Sequence, residues 1–547
     1  MAVPLLAILP FLALSGHQLS LPGLHYDEAK EAGLNALQLL RHLPVEAFRG
    51  AGVRVGDVLL PFMVQEYIGA LNVYLALPFL ALGGPTVGAL RLLSVLIGAA
   101  TLLLLYRLAL DMACGRSLAF AATLLLAVNP SYIFWSRQGI FVTNVTALLF
   151  VASLLAARRW WRTGRPSALY ALALLWGLGL WAKLLFAWAV GAMLGWGLVA
   201  WATCRKRGMA CPERRIGLRQ GITAGAFLMV GLAPLLLFNL RTGGTVASVL
   251  KNLGTSYYGV RNAALADNLA ERLRQAVTLL RGDHLWYLGG AAANLAAPWL
   301  AGGLVIMALV LMTWGWAKGL ASRREKGEGE EKVGLPPLLS VLFLLGLIIV
   351  QSSFTVSGLF VTHYALLLPL FPLGAALAAE AIRRRGGRAL GIVALVALVA
   401  WGWGDLRATL AYHRILARTG GHSAHADAVY ALARYLDERG YSAPLALDWG
   451  FSAPIAYLTA GRVHPLEVFG YERLDAPDDA FAARLRPFLA HPAHVYLFHA
   501  PEDTVFRGRR EALERMAQEM GLKIEEEQII TERSGRPLFI VARASRR

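Results

Sequence analysis

Charge is scarce in this chain. Only 16% of its 547 residues are Asp, Glu, Lys or Arg, and 57% are hydrophobic, whereas an ordinary soluble domain carries about 25% charged residues. With a mean hydropathy of +0.52, that shortage excludes a soluble protein. Cysteine is rarer still. Cys114, Cys204 and Cys211 are the complete set, each in or beside a loop expected in the cytoplasm, so no disulfide framework is expected. There is no Walker loop, no Asp-x-Asp pair of the kind that holds a nucleotide sugar through a cation, and no metal-ligand spacing among the 12 histidines. These absences argue against nucleotide-driven chemistry. The apolar N-terminus also lacks a basic leader and a small-residue cleavage site, so it reads as an uncleaved first span rather than a signal peptide.

What the chain has in abundance is long apolar runs. A membrane span needs about 20 mostly apolar residues, and such runs recur near 3–19, 89–110, 118–135, 140–157, 167–182, 184–203, 220–240, 296–317, 335–351, 360–380 and 389–404, then stop. Eleven spans put the two ends on opposite sides. The formal charge of +18 lies wholly in residues 1–404, because residues 405–547 hold 19 basic and 19 acidic residues. Loops 107–116, 158–165, 204–219, 318–332 and 380–388 alone carry +14. Basic loops stay in the cytoplasm, so this charge is a topology signal and not a nucleic-acid footprint. Segments 20–88 and 241–295 and the tail from 405 then lie outside, where function is to be sought.

Within the outer segments, Leu34, Leu37 and Leu40 recur at three-residue steps, and Leu265, Leu269, Leu273, Val277 and Leu280 at four- and three-residue steps. Both patterns predict amphipathic helices lying on the membrane surface. The tail alternates helix-like 426–439, strand-like 444–448 and 495–498, helix-like 509–520 and strand-like 538–542, which predicts a small α/β domain. The expected architecture is thus a polytopic α-helical membrane domain over 1–404, with interfacial helices in its outer loops. An extracytoplasmic α/β domain is expected over 405–547, and the whole in the plasma (inner) membrane. Lys326 through Lys332 is a low-complexity cytoplasmic linker without chemistry, and the Asn144-Val145-Thr146 acceptor pattern falls inside a span, hence accidental.

Asp27 and Glu28 form an acidic pair just after the first span, where a carboxylate reaches both water and lipid headgroups, as a general base at a membrane surface requires. The competing reading makes Asp27 the N-cap of the following helix. Arg137 and Lys183 each fall between two apolar runs at the outer interface. Either could hold an anionic phosphate there, or simply snorkel to water. His363-Tyr364 at the outer start of the tenth span is similarly placed.

Taken in order, Tyr26-Asp27-Glu28-Ala29, Gln65-Glu66-Tyr67-Ile68-Gly69-Ala70-Leu71 with Tyr74 and Pro78, Ala89 through Leu96, Asn129-Pro130, Ser136-Arg137, Gly179 through Lys183 and His363-Tyr364 before Pro369 resemble the GT-C superfamily of membrane glycosyltransferases. The likeness points to its protein O-mannosyltransferase and lipid A aminoarabinose transferase branch. The resemblance implies an inverting transfer of a sugar from a polyprenyl-phosphate donor to a hydroxyl of a glycolipid, glycan or protein acceptor, with no cofactor or metal required. It implies Asp27 as base with Glu28 beside it, and Arg137, Lys183, His363 and Tyr364 toward the donor phosphate. Tyr26, Glu66, Tyr67, Tyr257 and Tyr258 are candidate substrate contacts. Relatives often carry a second acid after the Ser-Arg element, whereas this chain has no carboxylate from Gln138 to Asn144, so the expected base works without that partner. A secondary transporter would show matching halves with broken helices, and a non-catalytic assembly protein would not need eleven spans.

Overall fold

The computed structural model describes residues 2–138, 143–206, 216–256, 259–326, 336–355, 359–489, 491 and 494–546. Each of the eleven apolar runs is helical in it, from Ala2–Gly16 and Val87–Asp111 through Leu218–Thr242 and Ala297–Lys326 to the long segment Leu370–Thr419. Among the described residues five helices are long and apolar enough to cross a membrane, six when a bent pair is taken as one span. Shorter apolar helices accompany them, including Leu71–Gly83, which was not among the expected spans.

Local chemistry sets the ends and breaks. Thr86 Oγ1 accepts the Ala89 N–H at 3.1 Å and caps Val87–Asp111. Gly243 and Gly282, both left-handed, close Leu218–Thr242 and Leu265–Arg281. The expected span 118–135 is not one rod. Pro130 pushes Asn129 into extended backbone, and the chain bends by 61° between Arg116–Val128 and Pro130–Gln138. Asn129 Oδ1 then accepts the Tyr132 N–H and caps the second piece. Leu370–Thr419 breaks at Gly387 (φ 77°), and its second part continues past residue 404 to Thr419. Buried Asp405 on that part accepts from Asn129 at 3.0 Å, Asn294 at 2.7 Å and the Trp401 indole at 3.1 Å, which ties it to the broken span.

The tail is an α/β domain. Its sheet runs in the order Leu466–Glu467, Leu445–Ala446, Val495–His499, Pro537–Arg546, Leu522–Thr531, the first three parallel and the last two antiparallel to their neighbours. Strand alternation divides the core. Val495, Leu497 and Val541 pack with Leu432, Leu436 and Ile455 on one face, while Tyr496, Phe498 and Ile540 pack with Leu485 and Leu513 on the other.

The tail domain docks directly on the first outer segment. The Gly23 N–H donates to His425 O at 2.7 Å, Tyr430 Oη to Ser20 O at 2.6 Å and Tyr457 Oη to Thr86 O at 2.9 Å. This corrects one expectation. The segment after Asp27 is helical, but most of its apolar stripe is covered by protein: Leu34, Leu37 and even Asn35 and Gln38 are buried, Gly33 packs against the Tyr457 ring, and only Leu40 at the end is exposed. Leu265–Arg281 does turn Leu265, Leu273 and Val277 outward, while Asn268, Arg272 and Leu279 are buried.

Candidate active site

The first outer segment enters its helix at His25, whose Nδ1 accepts the Asp27 N–H at 3.2 Å. His25 is therefore the N-cap, and Asp27 is free of that duty. A lone pair at His25 Nδ1 also means that this nitrogen, 3.6 Å from Asp27 Oδ2, offers the carboxylate no proton. No described residue donates a hydrogen bond to the Asp27 carboxylate, which is buried and opens on a cavity of about 670 Å³. Burial raises its pKa above the ordinary range, opposed by the charges of Lys30 and Lys183.

After Glu28 the helix widens into a π-turn over Ala29–Gly33, a local departure common at functional sites. Lys30 on that turn also lines the cavity. Its Nζ donates to Tyr26 Oη at 3.0 Å, and that hydroxyl donates to Glu467 Oε1 of the tail domain at 3.2 Å. Burial lowers the Lys30 pKa, but Tyr26, Glu467 and Asp27 outweigh it, so the net shift is upward and the ammonium stays charged.

Glu28 points away from the cavity. Both its oxygens bind Arg91, at 2.7 and 2.9 Å, and fully buried Arg91 also donates to the carbonyls of Leu19, Pro22 and Gly23. The pair clamps the turn that precedes Asp27. The chemistry expected of the adjacent acids is thereby divided: Asp27 faces the cavity, and Glu28 holds the backbone.

The phosphate candidates also separate. His363 lines the cavity. Lys183 does not, but it is buried in extended backbone at the end of Pro166–Ala182, its backbone bridged to Ile68 and its charge acting on Asp27 and Glu31. Burial pulls the Lys183 ammonium down to about 8. Arg137 is buried behind the site, donating to the carbonyls of Gln18 and Leu21. Tyr364 donates to Ser352 Oγ at 3.2 Å and stacks on Trp188, away from the cavity. Among the substrate candidates, Tyr26 and Tyr67 line the cavity, whereas Glu66 pairs with Arg49 at 2.8 Å at its outside. Tyr257 and Tyr258 lie outside the described residues.

Much of the wall comes from residues that the sequence reading did not single out. The tail supplies His425, Trp449 and Tyr471, and the loop after Leu265–Arg281 supplies His284, Trp286 and Tyr287. Their rings form a ladder. Tyr26 packs on Trp449 (4.8 Å), His25 stacks on His425 (4.0 Å), and His425 stacks on Tyr287 (4.3 Å). A lone His or Trp carries no spacing signal, so nothing in the sequence joins these positions. Among the described residues no group of three or more His, Cys, Asp or Glu is arranged to hold a metal ion.

The fold is shared with solved structures that hold a polyprenyl phosphate. Residues 71–211 match the family model described as dolichyl-phosphate-mannose-protein mannosyltransferase. The structure of ArnT from Cupriavidus metallidurans bound to undecaprenyl phosphate superposes with a TM-score of 0.56 at 11% identity, covering 98% of this chain and 97% of that one. Its apo form gives 0.57. The archaeal oligosaccharyltransferase AglB from Archaeoglobus fulgidus, in complex with an inhibitory peptide and a dolichol-phosphate, gives 0.51 at 13% identity over 85% of this chain and 64% of that one. No curated protein matches by sequence. Over nearly its whole length the chain thus shares the fold of these solved structures, and residues 71–211 within it match the mannosyltransferase family model.

Proposed function

We propose that the protein transfers a sugar from a polyprenyl-phosphate donor to an acceptor hydroxyl, of a glycolipid, glycan or protein, with inversion at the anomeric carbon. The observation that carries this reading is the buried Asp27 carboxylate, open to the cavity and without a hydrogen-bond donor among the described residues, with Lys30 in the same wall. Asp27 takes the proton of the acceptor hydroxyl as its oxygen attacks the anomeric carbon. The new carbon–oxygen bond forms as the bond to the phosphate oxygen breaks, and the electron pair leaves with the lipid phosphate. Lys30 and His363 face that growing charge from the cavity wall and Lys183 adds its charge from outside the lining, since fixed cations and donors stabilise such charge best in a site shielded from water. The donor ester is itself the activated species, so the reaction calls on no cofactor.

The proposed setting is the plasma (inner) membrane, crossed eleven times, with the cavity and the tail domain on the extracytoplasmic side. Undecaprenyl phosphate in the ArnT complex supports the lipid carrier. The test is transfer of radiolabel from a polyprenyl-phosphate sugar by purified protein, compared with Asp27→Asn. A positioned general base contributes about 100- to 10,000-fold, so the variant should lose at least that lower factor while keeping its fold. Retained transfer would exclude Asp27 as the base.

A further inference from the structure

One wall of the cavity concentrates buried polar atoms that have no protein partner. Trp135 Nε1, Tyr287 Oη, Thr362 Oγ1, His425 Nδ1 and the His284 ring nitrogen that does not face the Thr278 backbone are all buried without a hydrogen bond, and all five residues line the cavity. Trp135, Tyr287 and His425 are only 2%, 6% and 9% exposed. A whole folded domain tolerates only a few such atoms per hundred residues, so five around one cavity mark a place built for a ligand.

The fold holds this wall firmly. Gly282 has no room for a Cβ, which would meet Pro130 Cγ at 2.4 Å. Tyr412 Oη donates to Gly282 O at 2.7 Å and Ser131 Oγ to Leu279 O at 3.2 Å. Trp135 then lies 4.9 Å from His284, ring to ring.

The chemistry of the wall is that of hydroxyl recognition. An indole N–H only donates, a phenol or threonine hydroxyl both donates and accepts, and a neutral imidazole does one at each nitrogen. Burial pulls the His284 pKa down to about 3 and lowers that of His425, so both rings are neutral at physiological pH. A sugar hydroxyl matches such mixed partners. An ammonium group, which only donates, does not. Among the described residues that line the cavity, Asp27 is the only carboxylate.

We infer that Trp135, His284, Tyr287 and His425 form a glycosyl subsite for an uncharged, hydroxyl-rich sugar ring, one that selects against the corresponding amino sugar. The inference rests on the glycosyl-transfer reading and narrows its substrate class. The ring belongs either to the lipid-linked donor or to a saccharide acceptor.

Calorimetric titration of the full chain in nanodiscs tests this. The probes are polyprenyl phosphate that is bare, carries a neutral hexose, or carries the matching amino-hexose, together with a free neutral disaccharide. The neutral hexose should tighten binding about tenfold over the bare lipid, as one or two added hydrogen bonds would, and the amino-hexose should add nothing. If the gain appears only with the free disaccharide, the subsite stands and serves the acceptor. Tyr287→Phe and Trp135→Phe each remove one unpartnered polar atom, so they should abolish most of that gain. The same variants should leave bare-lipid affinity unchanged and the melting temperature of the empty protein unchanged or higher, whereas a structural role would lower it. Equal or tighter binding of the amino-hexose, or equal weakening of the bare lipid in both variants, overturns the subsite. Failure of every lipid phosphate to bind overturns the transfer reading instead, and disaccharide binding that is lost in Tyr287→Phe would still uphold the subsite.

Discussion

Replacing Glu28 by Gln should destabilise the protein far more than replacing its neighbour Asp27 by Asn. Arg91 is fully buried and spends five hydrogen bonds, two on Glu28 and three on the carbonyls of Leu19, Pro22 and Gly23. A glutamine keeps one acceptor oxygen but turns an amide N–H₂ toward a guanidinium N–H, so one charge-assisted bond is lost and the remaining cation is left buried without an anion. Breaking a buried pair in this way costs about 3–5 kcal/mol. Removing the pair altogether, as Glu28→Leu with Arg91→Leu, should not restore stability. In other buried pairs apolar replacement is often neutral, but here three backbone carbonyls would lose their donor, at about 1–3 kcal/mol each where they stay buried. Equilibrium unfolding in mixed micelles measures all three proteins, and circular dichroism reports retained helix. A loss below about 1 kcal/mol in Glu28→Gln, or full recovery in the double variant, would refute the clamp as the reason this loop holds its shape.

Two further predictions concern pH and domain docking. Transfer should rise with pH through a midpoint above the ordinary aspartate value of about 3.9, because burial raises the Asp27 pKa. The folded state then holds that proton more tightly than the unfolded chain, so wild-type stability relative to Asp27→Asn should fall as pH climbs from about 3.9 through the raised value. On the alkaline side Lys183 loses its charge near 8, so the rate should decline there, and Lys183→Arg, which stays charged, should extend the plateau; an unmoved alkaline limb would exclude Lys183 from the phosphate. Gly23→Ala places a Cβ 2.1 Å from Ala426 O, an overpacking worth about 1–3 kcal/mol or more. It should open the tail–loop contact, seen as faster proteolysis beyond Thr419 together with reduced transfer.

Hydrophobic periodicity located most of the apolar helices, though not Leu71–Gly83, because it reports local geometry, and an acidic pair beside a span end drew attention to Asp27, which lines the cavity. It could not say what covers an apolar stripe. Leu34 and Leu37 look the same whether lipid or the helix Ser452–Leu458 lies against them. Nor could spacing reveal that Glu28 had a partner, since Arg91 is 63 positions away inside a run that reads simply as the opening of a span. The aromatic and histidine wall was hidden for a related reason. His25, Tyr287 and His425 meet only after the tail folds back on the first outer segment, and each on its own is an ordinary residue in an ordinary loop. The N-cap assignment shifted by two positions because Asp is the commoner cap, whereas His25 occupies the site here.

The docking of the tail has a consequence for how such a protein is made. Asp27 and Lys30 leave the ribosome more than 400 residues before Trp449 and Tyr471, which close the chamber they face. During synthesis all the apolar helices are made while the Asp27 carboxylate has no finished chamber around it. Completion of the chamber is therefore a late event, and a chain stalled before residue 449 would hold its apolar helices yet lack the Trp449 and Tyr471 side of the cavity.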